Sequence, residues 1–321
     1  MTASAQKRLS DDEYTTRTMF DLERMTALQV MLEDEFQPLL AGKTIHYLDT
    51  PTHLNVGDLL IMLGTEKLFR QLRVKVRTSV SLRSLNVFWT KCIGPEEVIV
   101  CHGGGNFGDL YQGVQDHQAL RLDVVRRYPH HAIIMMPQSV HFEHAEKLQE
   151  TIEVLKQHRN LLIYVRDQYS YDVLAPELGD AVRMMPDMAH MLLGTYQTAR
   201  PMIEKTLVLR RRDEESTAES QAADTFDWDD IFTPADKQFY DAFRFLCRIE
   251  NKMKLALGSA SLWSWYSAKI AKRAESLFSR YHVIDTDRLH GAIFGLLNGR
   301  DLILRDNSYG KLGRYFSRWF S

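Results

Sequence analysis

A glycine-rich segment follows an apolar run that is typical of a buried β-strand. His102, Gly103, Gly104, Gly105 and Asn106 come directly after the run 98–101. Glycines allow backbone N–H groups to approach a ligand closely at the carboxyl end of a parallel sheet, where open α/β folds bind their ligands. The segment predicts such a ligand-binding loop, and a tight turn that requires positive φ is the structural alternative.

The same letters, GGGNFG, match the dinucleotide-binding pattern G-x-G-x-x-G. In a nicotinamide or flavin site, the next strand ends in an acidic residue that binds the ribose. Here that strand ends in Met136, Pro137 and Gln138. We therefore reject a dinucleotide site at this position.

A second cluster of reactive residues follows the apolar run HVID. Arg288, Leu289 and His290 begin a helical pattern, so a guanidinium, an imidazole and the positive end of a helix dipole are expected together. This combination predicts an anion site with a proton donor. Asp285 and Asp287 also form a D-x-D pair of the kind that binds divalent metal ions, but two spaced aspartates are common by chance. The structural alternative is that Arg288 pairs with an aspartate and His290 caps the helix.

Further cations stand at the ends of predicted strands. Arg166 ends the run LLIYV, Lys311 follows the last strand, and Arg210 to Arg212 end the first strand of the second half. Ligands bind at strand carboxyl ends, so Arg166, Arg288 and Lys311 are predicted to converge on one crevice between the two halves. For Arg210 to Arg212, an exposed cluster facing the acidic stretch that follows is an equal alternative.

Composition excludes several classes of protein. The 321 residues contain 40 Lys plus Arg against 42 Asp plus Glu, a net charge of −2, which argues against a nucleic-acid-binding protein. Three cysteines without a zinc or disulfide spacing fit a reducing cytoplasm. We expect a soluble cytoplasmic protein without signal peptide or membrane span, which can still dock at the inner face of the cytoplasmic membrane.

No metal site is predicted. His130, His131, His141 and His144 lack a third ligand at a suitable spacing. Neither the G-x-S-x-G of hydrolases nor the P-loop pattern occurs.

Short apolar runs alternate with helical patterns along the chain, which predicts an α/β fold with parallel sheets covered by helices on both faces. One predicted helix begins just after the segment Asn55 to Asp58, and others span 234–251 and 261–278. The predicted strands are 44–49, 74–80, 98–101, 132–136, 161–166 and 182–185 in a first half, and 207–210, 282–285 and 302–304 in a second.

These elements suggest three parts: an N-terminal helical extension (1–40), a first domain (41–196) and a second domain (197–321). Turn formers at 194–201 mark the boundary. The stretch 213–230 has eight acidic residues and no basic one, so it is predicted to be an exposed loop, with a lid or contact segment carrying Phe226 and Trp228 as the alternative.

Several short motifs, taken in order, resemble the polysaccharide pyruvyl transferase family. The resemblance covers roughly Asp49 to Arg314. Its motifs are Asn55 to Asp58, HGGGNFGDLY (102–111), Pro137-Gln138-Ser139, Arg166-Asp167 with Ser170, Pro186-Asp187, Asp287 to Gly291 and Asn307 to Lys311.

The resemblance implies two Rossmann-like domains with parallel sheets that face a central cleft, as in GT-B glycosyltransferases. It implies phosphoenolpyruvate as donor, a sugar of an exopolysaccharide or its lipid-linked precursor as acceptor, and a cyclic ketal as product. It also places Arg166, Arg288, the pair Leu289 and His290, and Lys311 beside the donor.

The chemistry of the residues agrees with this reading. Phosphoenolpyruvate carries a phosphate and a carboxylate, which suit arginine forks and backbone N–H groups, so Gly104, Gly105 and Asn106 join the predicted donor site. His290 is the best acid or base, and Asp58 would orient or deprotonate the sugar hydroxyls. Cationic side chains can replace a metal, so no metal or cofactor is expected. Asp109, Asn55 and Gln138 are assigned to the acceptor side.

Two other functions are compatible with these residues. A nucleotide-sugar glycosyltransferase of the same architecture would use Arg288 and Lys311 for a diphosphate. An inactive scaffold of the exopolysaccharide assembly machinery is disfavoured because the charged and glycine-rich residues are all present.

Overall fold

Two mainly parallel β-sheets and the helices that cover them form the described part of the protein. The computed structural model describes residues 15–109, 116–196, 203–212, 225–306 and 310–321. The strands are β1 (Thr15–Thr18), β2 (Thr44–Leu48), β3 (Lys75–Val80), β4 (Val98–Cys101), β5 (Gly104–Gly108), β6 (Ile133–His141), β7 (Leu161–Val165), β8 (Val182–Met184), β9 (Ile203–Leu209), β10 (Tyr281–Thr286) and β11 (Asp301–Arg305). The helices are α1 (Leu22–Leu40), α2 (Val56–Gln71), α3 (Asn86–Trp89), α4 (His117–Arg127), α5 (Ala145–Lys156), α6 (Gln168–Leu178), α7 (Pro234–Met253), α8 (Ser259–Phe278), α9 (Leu289–Leu297) and α10 (Lys311–Trp319), with short 3-10 helices at Leu82–Ser84, Gly179–Ala181, Met188–Leu192 and Trp228–Ile231.

The first sheet has the order β3-β2-β4-β6-β7-β8, and all of these strands are parallel. Its central strand β4 is buried on both faces. Ile99 and Cys101 pack on one side of it, whereas Val98 and Val100 pack on the other with Phe36 of α1. This alternation confirms the prediction of a parallel sheet covered on both faces. All six strands predicted for the first half form.

The strand order of the first sheet locates its ligand-binding edge. Counted from β2, the order is 2-1-3-4-5-6, which is the order of flavodoxin-like doubly wound sheets. In such sheets, ligands bind outside the carboxyl ends of the strands, where the connections diverge to opposite sides. In this sheet, that point lies between β2 and β4, and the glycine-rich segment follows β4 in the sequence.

The second sheet has the order β1-β11-β10-β9. Strands β9, β10 and β11 are parallel, as predicted, and β1 pairs antiparallel with β11 through Thr15 to Thr18. Within the segment 1–40 that was predicted as a helical extension, α1 is the expected helix. The extension also supplies an edge strand to the second sheet, so it is part of that sheet and not an independent appendage.

Helix α2 lies where the two sheets meet. Its residues from Leu59 to Thr65 are buried, as expected for a helix that is covered all round. It packs against α8 and α9 on one side and against the 3-10 helix Met188–Leu192 on the other. Gly64 permits this close approach, because a Cβ there would lie 2.0 Å from the carbonyl oxygen of Met188. The packing fixes the N-terminus of α2 between the two halves.

The glycine-rich segment forms the short strand β5 beside the end of β6. Gly104 pairs with Gln138, and Gly108 pairs with His141. Gly108 has a φ of +130°, and a Cβ there would lie 1.7 Å from the carbonyl oxygen of His141. Gly104 also has a positive φ, of +115°, so the structural alternative is right about positive φ but wrong about a tight turn, because the segment forms a strand that the sequence did not predict.

The segment predicted as an exposed acidic loop is partly buried. Its residues 213–224 lie outside the described residues, as do 197–201 of the predicted linker. Within the rest, Asp227 and Trp228 are both buried, and Trp228 stacks on Phe278 of α8. The prediction of a solvated loop is thus wrong for 227–228, and the alternative of a contact segment describes them.

Candidate functional site

Arg166, Asp187 and His290 form a charged cluster that joins the two halves of the protein. Nη1 of Arg166 lies 2.5 Å from Oδ2 of Asp187, and Nε2 of His290 lies 3.2 Å from the same oxygen. Nη1 of Arg166 and Nε2 of His290 are 3.5 Å apart. Arg166 follows β7 of the first sheet, and His290 is in the first turn of α9, which follows β10 of the second sheet.

Asp187 holds this cluster together. It is fully buried and begins the 3-10 helix Met188–Leu192, where its side chain accepts a hydrogen bond from the Ala189 N–H. Burial alone would raise the pKa of Asp187, but the neighbouring His290 and Arg166 hold that pKa well below its usual range. A carboxylate that is ionised at neutral pH therefore faces the imidazole of His290.

The orientation of Arg166 is fixed by several neighbours. Its Nε donates to Oγ of Ser139 at 3.0 Å, and Ser139 donates to Asp167 at 2.6 Å. The indole N–H of Trp319 donates to the carbonyl oxygen of Arg166 at 2.8 Å. A Cβ added to Gly105 would lie 3.6 Å from Nη2 of Arg166, so the glycine leaves that edge of the guanidinium uncrowded.

The N-terminus of α2 forms the opposite wall. Asn55 caps this helix by accepting a hydrogen bond from the Gly57 N–H at 3.0 Å. A Cβ added to Gly57 would lie 2.7 Å from Nδ1 of His290, so only glycine allows the helix to approach the imidazole. Asn55 thus sets the start of α2 beside His290.

Asp58 is paired with a histidine that the sequence reading missed. Nε2 of His53 lies 2.6 Å from Oδ2 of Asp58. Burial alone would lower the pKa of His53, but Asp58 outweighs it and raises that pKa above its usual value. Burial likewise opposes ionisation of Asp58, but His53 holds the Asp58 pKa well below its usual range. Asp58 also lies near the glycine-rich segment, because a Cβ on Gly104 would be 3.8 Å from its Oδ1.

A buried network of hydrogen bonds and ion pairs holds Asn106 in position. Arg121 of α4 donates to the carbonyl oxygen of Asn106 at 3.1 Å and to its side-chain oxygen at 2.6 Å. Arg121 in turn lies 3.1 Å from Oδ2 of Asp49, a buried residue with a φ of +65°. Asp49 also contacts Nδ1 of His117 at 2.7 Å. These contacts fix the position of Asn106.

Two residues assigned to the acceptor side have different surroundings. Asp109 accepts hydrogen bonds from the N–H groups of Glu143 and His144 at 2.7 and 2.9 Å, so it orders the turn before α5. Gln138 is fully buried beside Gly104, and its side-chain amide has no hydrogen-bond partner among the described residues.

Arg288, which was predicted to share a crevice with Arg166, is paired with Asp227. Its Nε lies 2.6 Å from Oδ1 of Asp227, and its Nη2 lies 2.8 Å from Oδ2. The structural alternative, an arginine paired with an aspartate, thus describes the contact of Arg288. His290 contacts Asp187 instead of capping α9. Leu289 packs against the core of the second half.

The other predicted cations and the D-x-D pair bond to one another and to the Arg288 partner, since the Arg212 N–H donates to Asp227 at 3.0 Å. Arg210 donates to Asp285 at 2.6 Å, and Arg305 donates to the same carboxylate at 3.0 Å. Asp287 accepts from the Arg211 N–H at 3.0 Å. Among the described residues, no three His, Cys, Asp or Glu side chains are grouped so as to hold a metal ion. Lys311 begins α10, and its side chain lies outside the described part of the structure.

The fold and the cluster between the sheets define an α/β protein with a polar site at strand carboxyl ends. Comparison with known families then makes the identification specific. The profile of the polysaccharide pyruvyl transferase family matches residues 55–309. The chain belongs to this family, as its motifs indicated.

Individual relatives agree with this assignment. EpsO of Bacillus subtilis strain 168, whose name places it among the pyruvyl transferases, is 35% identical over 298 residues, which cover 92% of this chain and 91% of EpsO. Pyruvyl transferase 1 of Schizosaccharomyces pombe is 27% identical over 303 residues, covering 86% of this chain and 70% of that protein. The crystal structure of a functionally uncharacterised Klebsiella pneumoniae protein has a similar fold, with a TM-score of 0.56 at 18% identity, covering 91% of this chain and 94% of that one.

No described helix combines the length and the apolar character required to cross a membrane.

Proposed function

We propose that this transferase moves the enolpyruvate group of phosphoenolpyruvate onto two hydroxyls of one sugar in an exopolysaccharide or its lipid-linked precursor. The products are a cyclic pyruvate ketal and phosphate, and the reaction takes place in the cytoplasm. The observation that carries the proposal is the cluster of Arg166, Asp187 and His290, which places a fixed guanidinium and a carboxylate-bound imidazole together. In this account, the two sheets are the two Rossmann-like halves of a GT-B-like cleft.

The donor would lie between the carboxyl end of β7 and the glycine-rich segment. Arg166 offers its guanidinium on the side that Gly105 leaves open, and the backbone of Gly104 to Asn106 offers N–H groups. The N-terminus of α9 adds the positive end of its dipole. Arg288 and Lys311 complete the donor site in the proposal, with the donor competing against Asp227 for the Arg288 guanidinium.

His290 would act first as an acid. In its protonated form, the imidazole transfers one proton to the methylene carbon C3 of phosphoenolpyruvate while the electron pair of the C2–C3 double bond forms the new C–H bond. Asp187 stabilises the imidazolium before transfer, because its carboxylate stays ionised beside Nε2. The electrophilic C2 is then open to attack.

Two hydroxyls of the sugar would complete the ketal. The first attacks C2 and loses its proton, the phosphate leaves with the C–O bonding pair, and the second hydroxyl forms the other C–O bond and loses its proton. Asp58, on the wall formed by α2, orients or deprotonates these hydroxyls, and His53 holds it in place. Gln138 and Asn55 are also assigned to the acceptor side, because Gln138 lies beside Gly104 and Asn55 caps the helix that carries Asp58.

Donor binding provides a direct test. Isothermal calorimetry should detect phosphoenolpyruvate but neither uridine nor guanosine diphosphate sugars, and Arg166→Ala should remove the signal. Arg183 is a matched control. It lies in β8 beside Tyr164 of β7, but its side chain is exposed and paired with Glu35. Binding of a nucleotide sugar in place of phosphoenolpyruvate would support a glycosyltransferase and overturn the proposal.

A further inference from the structure

The last two residues of α7 and the connection to α8 expose apolar side chains to solvent, and this segment, 252–258, is called the loop below. All seven residues from Lys252 to Gly258 are exposed. The exposed fractions of Met253, Leu255 and Leu257 are 58%, 49% and 45%. Large apolar side chains grouped in this way on a protein surface indicate an interaction site.

A buried carboxylate holds this loop in one shape. Glu250, near the end of α7, accepts hydrogen bonds from the N–H groups of Leu257 at 2.7 Å and Ser259 at 3.0 Å, and also from the hydroxyl of Ser259. The Leu255 N–H donates to the carbonyl oxygen of Glu250 at 3.2 Å. The backbone of the loop is therefore anchored to the protein while its apolar side chains point away from the core.

The apolar surface continues onto both flanking helices. Trp265 of α8 is 52% exposed, and Leu262 of α8 and Phe245 of α7 are also exposed. Beside the loop, a groove of about 550 Å³ runs between the start of α8 and the edge strand β3 and is lined by Gly258, Ser261 and Trp265. Gly258 and Trp265 line the same groove, so the loop and the start of α8 form one face at this end of the molecule.

Basic residues surround this face. The segment 241–275 has seven Lys and Arg. Three of them form ion pairs, Arg244 with Asp241, Lys272 with Glu275 and Arg273 with Asp236, and the other four are Arg248, Lys252, Lys254 and Lys269. Lys252 and Lys254 alternate with the apolar residues of the loop, and Nζ of Lys269 lies 3.7 Å from the ring centroid of Trp265. The charge of the face is thus complementary to an anionic surface.

We propose that this face docks the protein on a bilayer of anionic phospholipid. Leu and Trp side chains that enter the headgroup region, with lysines that contact acidic headgroups, are the combination found in helices and loops that lie in membrane interfaces. A second copy of the chain that docked through the same face would bring the same basic charge to it and would be repelled. The inference goes beyond the proposed reaction and does not depend on it, because docking is measured without donor or acceptor.

Vesicle co-sedimentation of the full chain tests the docking. We expect binding to vesicles of equal parts phosphatidylglycerol and phosphatidylcholine, and none to phosphatidylcholine alone. Binding to the anionic vesicles should weaken at about 1 M salt, where the Debye length is about 3 Å. No binding to the anionic vesicles, or equal binding to both kinds, would overturn the proposal.

Two variants separate the contributions. Lys252→Glu with Lys254→Glu should reduce binding at least about tenfold, since each basic residue near such a surface contributes about 1 kcal/mol. Met253→Ser with Leu255→Ser and Leu257→Ser should reduce it similarly while leaving the helical circular dichroism unchanged. The charge control is Lys43→Glu with Lys237→Glu, and the apolar control is Met19→Ser with Leu22→Ser, all at exposed positions elsewhere.

The outcomes are decisive in each case. Loop variants that bind as well as their controls would contradict the docking face. Self-association of the wild-type chain in sedimentation equilibrium that is lost in the apolar loop variant would show that a second copy covers this face, and would overturn the lipid assignment.

Discussion

His290 and Asp187 approach each other from opposite halves of the protein, with Nε2 of His290 3.2 Å from Oδ2 of Asp187. His290 belongs to α9 after the second sheet, whereas Asp187 follows β8 of the first sheet. The contact makes the orientation of the proposed acid dependent on correct packing of the two halves. The Asp187 carboxylate therefore contributes both to the stability of the fold and to the orientation of His290.

Removal of the Asp187 charge should affect stability and activity together. Asp187→Asn leaves the buried Arg166 without its ionic partner, which should lower the free energy of unfolding by about 3–5 kcal/mol. Urea unfolding followed by circular dichroism measures this change. Asp172→Asn, an exposed aspartate of α6, is the control, and an equal loss in both variants would argue against a special role for Asp187.

The pH dependence of this pair has a defined sign. The folded pKa of Asp187 lies below its unfolded value of about 3.9. The stabilisation from its charge is therefore present above that unfolded value and is lost only as the pH falls toward the folded pKa. The contribution of the Asp187 charge to the stability difference between wild type and Asp187→Asn should be constant from about pH 5 to 7 and should shrink below about pH 4. A difference that grows on acidification would contradict the pairing.

Two glycines of the same segment should respond differently to alanine. At Gly105, a Cβ would lie 3.6 Å from Arg166, an ordinary contact distance, so Gly105→Ala should fold normally and weaken phosphoenolpyruvate binding at least about tenfold. At Gly108, positive φ and the His141 carbonyl should make the alanine variant less stable by about 2 kcal/mol or more. Calorimetry and thermal unfolding of both variants distinguish the two effects. Unchanged donor affinity in Gly105→Ala would remove this segment from the donor site.

His53 provides a spectroscopic test of the opposite wall. Because Asp58 raises the pKa of His53, its NMR titration midpoint should lie above the usual value of about 6.5 and return toward that value in Asp58→Asn. The stabilisation from this pair is present below the unfolded pKa of His53 and is lost as the pH rises through the higher folded pKa. A midpoint at or below the usual value in the wild type would show that the two side chains are not paired in solution.

The sequence predicted the sheets well because their apolar patterns are local. All nine predicted strands form. The predicted helix after the segment Asn55 to Asp58 also forms, but α2 begins three residues earlier than predicted, at Val56, because Asn55 caps it. The strand β1 was missed because Thr15 to Thr18 has no apolar pattern, and its pairing with β11 depends on contacts almost 290 residues away in sequence. β5 was missed because a run of glycines is typical of a turn, and only its partner β6 makes it a strand.

The site residues were predicted less completely than the fold. Arg166, Arg288 and Lys311 were predicted to converge on one crevice. The structure instead brings Arg166 to His290 and pairs Arg288 with Asp227, and the side chain of Lys311 lies outside the described residues. The bond from Arg288 to Asp227 was left open between two readings, because a sequence does not show which aspartate a guanidinium meets. The role of His53 was missed altogether. Its signal was its place five residues before Asp58, in a loop that turns back onto the helix start.

The most direct test of the account is the transfer itself. The wild-type protein, phosphoenolpyruvate labelled with ¹³C at C2 and C3, and exopolysaccharide stripped of ketals by mild acid should give a new ketal carbon and methyl resonance by NMR. One phosphate should be released for each ketal formed. His290→Gln should lower the rate about a hundredfold or more, because it lacks the acid, while donor affinity stays within a few-fold of wild type. Phosphate release without a ketal signal, or a His290→Gln variant with wild-type rate, would contradict the central claim.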